Sequence, residues 1–102
     1  IVVTGDYLVD TTNSRVTNTY SPSIILESYG TPTQGPCRLK NITTSSSKTY
    51  SNTRAKFSTS FSVYRTVKGL ETYCGRYEGW IEGGLNGGLI DWDPEEYGYR
   101  ID

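Results

Sequence analysis

RAKFSTSFSVYRTV, residues 54–67, alternates without a break. Ala55, Phe57, Thr59, Phe61, Val63, Arg65 and Val67 occupy its odd positions; Arg54, Lys56, Ser58, Ser60, Ser62, Tyr64 and Thr66 occupy the even ones. Successive side chains of a strand point to opposite faces, so this spacing predicts one long strand with a dry face and a wet one. A helix would need an apolar stripe of period near 3.6, which is absent.

Lys68-Gly69 follows and predicts a tight turn, with glycine supplying a positive φ. The return strand is then Leu70–Trp80, with Val67 opposite Leu70 and Val63 opposite Cys74. That register carries Cys74 onto the dry face with Phe61 and Val63. Gly75 and Gly79 mark places where a bulge would shift it.

WIEGGLNGGLIDW, residues 80–92, is nearly palindromic about Leu85-Asn86. No Gly-Lys-Ser/Thr follows its glycine pairs and no helix signal receives an anion, which excludes a phosphate loop. Asn86-Gly87 instead predicts a type I′ hairpin pairing Leu85 with Gly88, Gly83 with Ile90 and Ile81 with Trp92. Trp92 then joins the core. The opposite face sets Glu82 across from Asp91 and Trp80 across from Asp93, a like-charge contact that needs an offset. Arg76, Arg100, the basic segment across the fold or a bound cation would supply it.

Shorter β-rich runs lie at Tyr7–Val9, Arg15–Tyr20, Ser23–Glu27 and Arg38–Ile42. Turn formers separate them at Asp10–Ser14, Gly30–Pro36 and Thr44–Lys48, and Thr43–Ser47 reads as a polar loop. With a single alanine in the chain and hydrophobic residues at only 34%, a helical core is not expected. Residues 1–102 are expected to form one all-β domain. The architecture expected is a small antiparallel sandwich or barrel of about six to eight strands.

Two cysteines, Cys37 and Cys74, stand in a chain without histidine or methionine. Two thiols without histidine fall short of the four ligands of a structural zinc site. A Cys37–Cys74 disulfide stapling the fold is the expectation, worth roughly 4 kcal/mol of denatured-state entropy. It places the protein in an oxidising compartment, secreted or extracellular. The chain opens Ile1-Val2-Val3-Thr4-Gly5 without a charged leader, as a mature secreted form would. Asn41-Ile42-Thr43 is a glycosylation sequon. No run has the length of a membrane span, so membrane insertion is not expected.

Formal net charge is −1, but its distribution is uneven. Cys37 to Leu70 holds seven basic residues and no acidic one; Glu78 to Asp102 holds seven acidic residues and one basic. The two segments either neutralise each other in the fold or form separate binding faces.

Without histidine no Ser-His-Asp or Cys-His arrangement exists. Glu82, Asp91, Asp93, Glu95 and Glu96 offer carboxylates for glycoside chemistry or calcium. Their stretch reads as an exposed acidic edge, so no catalytic residue, metal or cofactor is expected. Binding is the expected function. Tyr77, Trp80, Tyr97 and Tyr99 supply planar rings, and Arg54 and Lys56 supply cations on the wet strand face. The expected partner is a cell-surface glycan, an anionic surface or a protein receptor, met by a monomer or weak oligomer. Nucleic acid is not expected, because no recognised motif accompanies the charge. A non-enzymatic toxin, effector or antimicrobial acting on another cell fits these features. The alternatives are a carbohydrate-binding module and a protease inhibitor presenting Pro32–Pro36.

Overall fold

In the computed structural model, residues 54–67 form a single strand, flanked on both sides by partners of similar length. The structure describes residues 2–25, 37–92 and 99–102. Among the described residues nine strands follow in order: β1 Val2–Thr4, β2 Tyr7–Asp10, β3 Arg15–Thr19, β4 Ser23–Ile25, β5 Cys37–Thr49, β6 Arg54–Val67, β7 Leu70–Gly83, β8 Leu89–Trp92 and β9 Tyr99–Arg100. The fold is all-β and antiparallel. β5-β6-β7-β8 make one meandering sheet, and β9 joins the same sheet by pairing with β7. β1-β4 and β2-β3 form two separate two-stranded ribbons.

The molecule is a rod. Its extents are 57 × 23 × 21 Å and its radius of gyration is 16.1 Å, against about 13 Å for a compact chain of this length. The β2-β3 ribbon lies on the dry face of the sheet at one end. There Val16, Ala55 and Phe57 form the buried core, with Tyr7, Val9, Ile81 and Leu85 packed around it. Val16 N–H docks the ribbon by donating to Asn52 O at 2.6 Å. The Asp10 carboxylate caps the ribbon's turn, accepting from Thr12 and Asn13 N–H.

Two glycines let the rings approach. A side chain on Gly5 would sit 2.5 Å from the Phe57 ring, and one on Gly83 would sit 2.5 Å from the Tyr7 hydroxyl. That hydroxyl donates to Gly84 O at 2.7 Å. The first glycine pair of the palindrome thus serves the core.

Four expectations need correction. The polar run Thr44–Lys48 is strand, not loop: its residues pair in register with Ala55–Thr59. A long partner supplies the backbone hydrogen bonds that the serines by themselves do not specify. The turn comes later, at Tyr50–Thr53.

Val67 does face Leu70, but Val63 faces Gly75 because Cys74 is an extra residue in a β-bulge. Gly75, at φ +128°, takes the backbone conformation this requires.

The Asn86-Gly87 turn spans three residues, not two. Gly84 N–H donates to Gly88 O, Gly87 N–H donates to Gly84 O, and only Gly87 has positive φ. This is a type I turn closed by a left-handed glycine. It shifts Gly83 onto Leu89, and an irregularity at Ile90 restores the expected pairs Glu82–Asp91 and Ile81–Trp92.

The disulfide is not formed: Cys37 and Cys74 are free thiols. Their strands lie on either side of β6. Two strand spacings separate them by about 9.5 Å, beyond the roughly 7 Å Cα reach of a disulfide. Closure of the sheets into a sandwich or barrel is likewise not part of the described fold.

Candidate functional site

The wet face of the sheet is a track of hydroxyls with rings at intervals. Register places Thr43, Ser45, Ser47 and Thr49 of β5 beside Ser60, Ser58, Lys56 and Arg54 of β6, and Ser60, Ser58 and Lys56 beside Glu78, Trp80 and Glu82 of β7. Every one of these side chains shares a face because direct partners in an antiparallel sheet do.

At the core-bearing end of this track, Glu82 is buried at 5% exposure. The sequence reading of an exposed acidic edge fails here. Arg54 supplies the missing offset: its guanidinium lies 3.6 Å from Glu82 and 4.0 Å from Asp91. Thr49 Oγ1 donates to Glu82 Oε2 at 3.2 Å. Arg54 also lies over the Tyr50 ring, 3.9 Å from its centroid.

Tyr50 is presented by a strained turn. Tyr50, Ser51 and Asn52 have φ of 51°, 53° and 64°, three consecutive non-glycine residues in the left-handed region. Each costs about 1–2 kcal/mol. Hydrogen bonds from Thr53 N–H to Thr49 O and from Thr53 Oγ1 to Tyr50 O hold the turn.

One step along the track, Lys56 Nζ rests over the Trp80 ring, 4.8 Å from its centroid. Both side chains are part-exposed. Further along, Arg76 lies flat on the hydroxyls. It donates to Ser62 Oγ, Ser60 Oγ and Asn41 O, each at 3.0 Å, and Ser60 Oγ also meets Thr43 Oγ1. Asn41 sits in the β5 bulge with φ 54°, which turns its carbonyl toward the guanidinium.

The far end carries a second ring pair, Tyr64 and Tyr73, edge to face at 5.4 Å. Lys40 lies over Tyr64 and bonds Glu71 at 2.8 Å. That bond holds the Glu71 carboxyl below its ordinary range. Asp102 closes this end: it accepts from Arg76 N–H, from the Tyr73 hydroxyl and from Arg100 Nε. The Arg76 N–H first, and the Tyr73 hydroxyl next, lower its pKa to about 2.

The predicted site residues are therefore only partly brought together. Arg54, Lys56 and Trp80 share the wet face. Tyr77 does not: it stands on the other face, stacked on Phe61 at 6.2 Å. It is three residues from Trp80, and an odd separation on one strand means opposite faces. Tyr99 pairs with Glu78 through its backbone, its side chain lies outside the described residues, and so does Tyr97. The Gly30–Pro36 loop and Asp93 to Glu96 also lie outside them. Sequence reasoning missed Tyr50 and Tyr64. The parity of β6 already put Tyr64 beside Ser62 and Lys56; Tyr50 carried no signal while the turn was placed too early.

Chemically, the charges at the Arg54 end of this face are used internally. Between the two segments Arg54 meets Glu82 and Asp91, whereas Arg38 and Lys40 meet Glu71, which lies outside the acidic segment. No grouping of three or more metal-ligating side chains occurs among the described residues. No protein-family model, curated protein or solved structure matches the chain.

Proposed function

We propose that the protein is a non-enzymatic binding protein that recognises a cell-surface glycan along the wet face of its sheet. One observation carries this reading: Trp80 stands part-exposed beside the hydroxyls of Ser58 and Ser45, with Lys56 over its ring. A part-exposed ring beside hydroxyls, with Glu78 and Glu82 two residues away on the same face, suits the C–H face and hydroxyls of a sugar better than it suits an anion. Lys56 would give way, since an exposed cation–ring contact is worth about 0.5–1 kcal/mol. Glu82 and Asp91 are opposed across one Arg54 guanidinium, which favours a structural ion cluster over an acid–base pair.

In this reading the protein acts outside the cell that makes it, as a toxin, effector or antimicrobial docking on another cell. That location no longer draws on a disulfide. It rests on the Asn41 sequon and the polar, Ser/Thr-rich composition.

Co-sedimentation with insoluble polysaccharides and whole cells tests the reading. Binding to one glycan that salt leaves intact, that a soluble oligomer competes and that Trp80→Ala abolishes is the expected result. Binding that Trp80→Ala leaves unchanged would remove the wet face as the site.

A further inference from the structure

The Lys68-Gly69 end of the sheet exposes apolar side chains that nothing among the described residues covers. Leu70 is 73% exposed, Val67 47% and Tyr73 46%. Val67 and Leu70 are cross-strand partners. They flank a turn whose two central residues, Lys68 and Gly69, both have positive φ, 49° and 78°. Such a type I′ turn continues the strand twist and keeps the tip narrow.

Cations rim this tip. Arg65 lies two residues before Val67, Lys68 sits in the turn, and Arg38 and Lys40 stand on β5 beside Tyr64 and Ser62. Glu71 answers them, bonding Lys40 at 2.8 Å and reaching Arg38 only at 4.0 Å. Four basic side chains against one acidic leave a local charge of +3. The next charges inward, Arg76, Arg100 and Asp102, add one more positive charge.

This combination selects its partner. A second copy of the chain would bring like charges together. A neutral glycan has no use for the cations or for Leu70. An anionic lipid surface satisfies both, because its acyl boundary accepts apolar side chains while its phosphates meet guanidinium and ammonium groups. We propose that the Val67–Leu70 tip docks into the headgroup layer of an anionic bilayer. Leu70 and Val67 reach the acyl boundary, and Arg65, Lys68 and Arg38 contact lipid phosphates. The contact is peripheral and reversible, since two apolar residues and a basic rim make a shallow anchor. It lies at the opposite end of β6 from Arg54, so it stands or falls apart from the glycan reading.

The test is vesicle co-sedimentation of the full chain with phosphatidylcholine alone and with an equimolar phosphatidylglycerol mixture. Binding is expected only to the mixture, weakened by salt, and about tenfold weaker in Leu70→Ser and in Lys68→Glu. Leu70 is exposed, so both variants fold, as circular dichroism will verify. Leu70→Trp, in a Trp80→Phe/Trp92→Phe background, is expected to shift its emission to the blue on anionic vesicles. Equal binding to both vesicle types would overturn the proposal, as would undiminished binding by Leu70→Ser. Retention on soluble polyphosphate as strong as on vesicles, and indifferent to Leu70, would assign the tip to a polyanion and overturn it too.

Discussion

The two ends of the long β6 strand are held by different physics. At the Arg54 end a second layer covers the sheet: Phe57 is 2% exposed and Ala55 0%, under the Val16 ribbon. At the Val67 end the described residues form one layer, tied by charges and rings: Lys40 to Glu71, Tyr64 to Tyr73, and Asp102 to Arg76 and Arg100. Burial in the first case is non-directional and large; exposed polar ties in the second are individually weak and tunable by pH and salt. The lesson is that a sheet can keep one strand geometry while exchanging its source of stability along its length.

The sharpest way to break this contrast is to empty each end in turn. Phe57→Ala is expected to cost about 3–5 kcal/mol, a large share of what so small a domain has. Leu70→Ser should stay within about 0.5 kcal/mol of the parent. Urea denaturation of both variants decides it, and comparable losses would mean that the tip is packed after all.

A smaller effect is expected where the two kinds of tie meet. Arg54→Met leaves Glu82 buried without its cation and is expected to cost about 2 kcal/mol. Adding Glu82→Gln should return part of that loss. If the double variant is no better than Arg54→Met, the guanidinium serves packing on Tyr50 rather than charge.

The smallest effect is a pH dependence confined to the tip. Asp102 has its pKa lowered from 3.8 to about 2 in the folded state. A depressed pKa stabilises the fold above the unfolded value, and that contribution disappears as pH falls from about 4 to about 2. Asp102→Asn should therefore melt below the parent at neutral pH, and the two melting temperatures should converge as pH approaches 2. A gap that persists into acid would assign the difference to lost hydrogen-bond geometry instead.

Much of the sheet was legible in the sequence, for stated reasons. The alternation from Arg54 to Val67 has only one strand reading, and Lys68-Gly69 fixes Val67 against Leu70. The pairs Glu82–Asp91 and Ile81–Trp92 also came through, although two shifts of one residue had to cancel to give them. Single-residue insertions leave almost no local signature. Cys74 looks like any other position of an alternating strand, and only the Gly75 after it hints at the bulge.

The hydroxyl run of β5 was misread for a related reason, since its strand character comes from β6 rather than from itself. Of the site, the shared face of Arg54 and Lys56 followed from parity; Trp80 joins it only because the Cys74 bulge moves its partner from Phe57 to Ser58. The burial of Glu82 did not follow, because it depends on Thr49 and Arg54 folding over it.

The meander of β5, β6 and β7 also has a consequence in time. Each long strand pairs with its neighbour in sequence, so the hairpins can zip outward from their own turns with little loop closure. Docking the Val16 ribbon onto Phe57 joins residues much farther apart along the chain, and its closure entropy is correspondingly larger. The hairpins should therefore be formed in the folding transition state and the ribbon should arrive after it. Kinetically, changes in Val16 would then speed unfolding, whereas changes at the β6–β7 turn would slow folding.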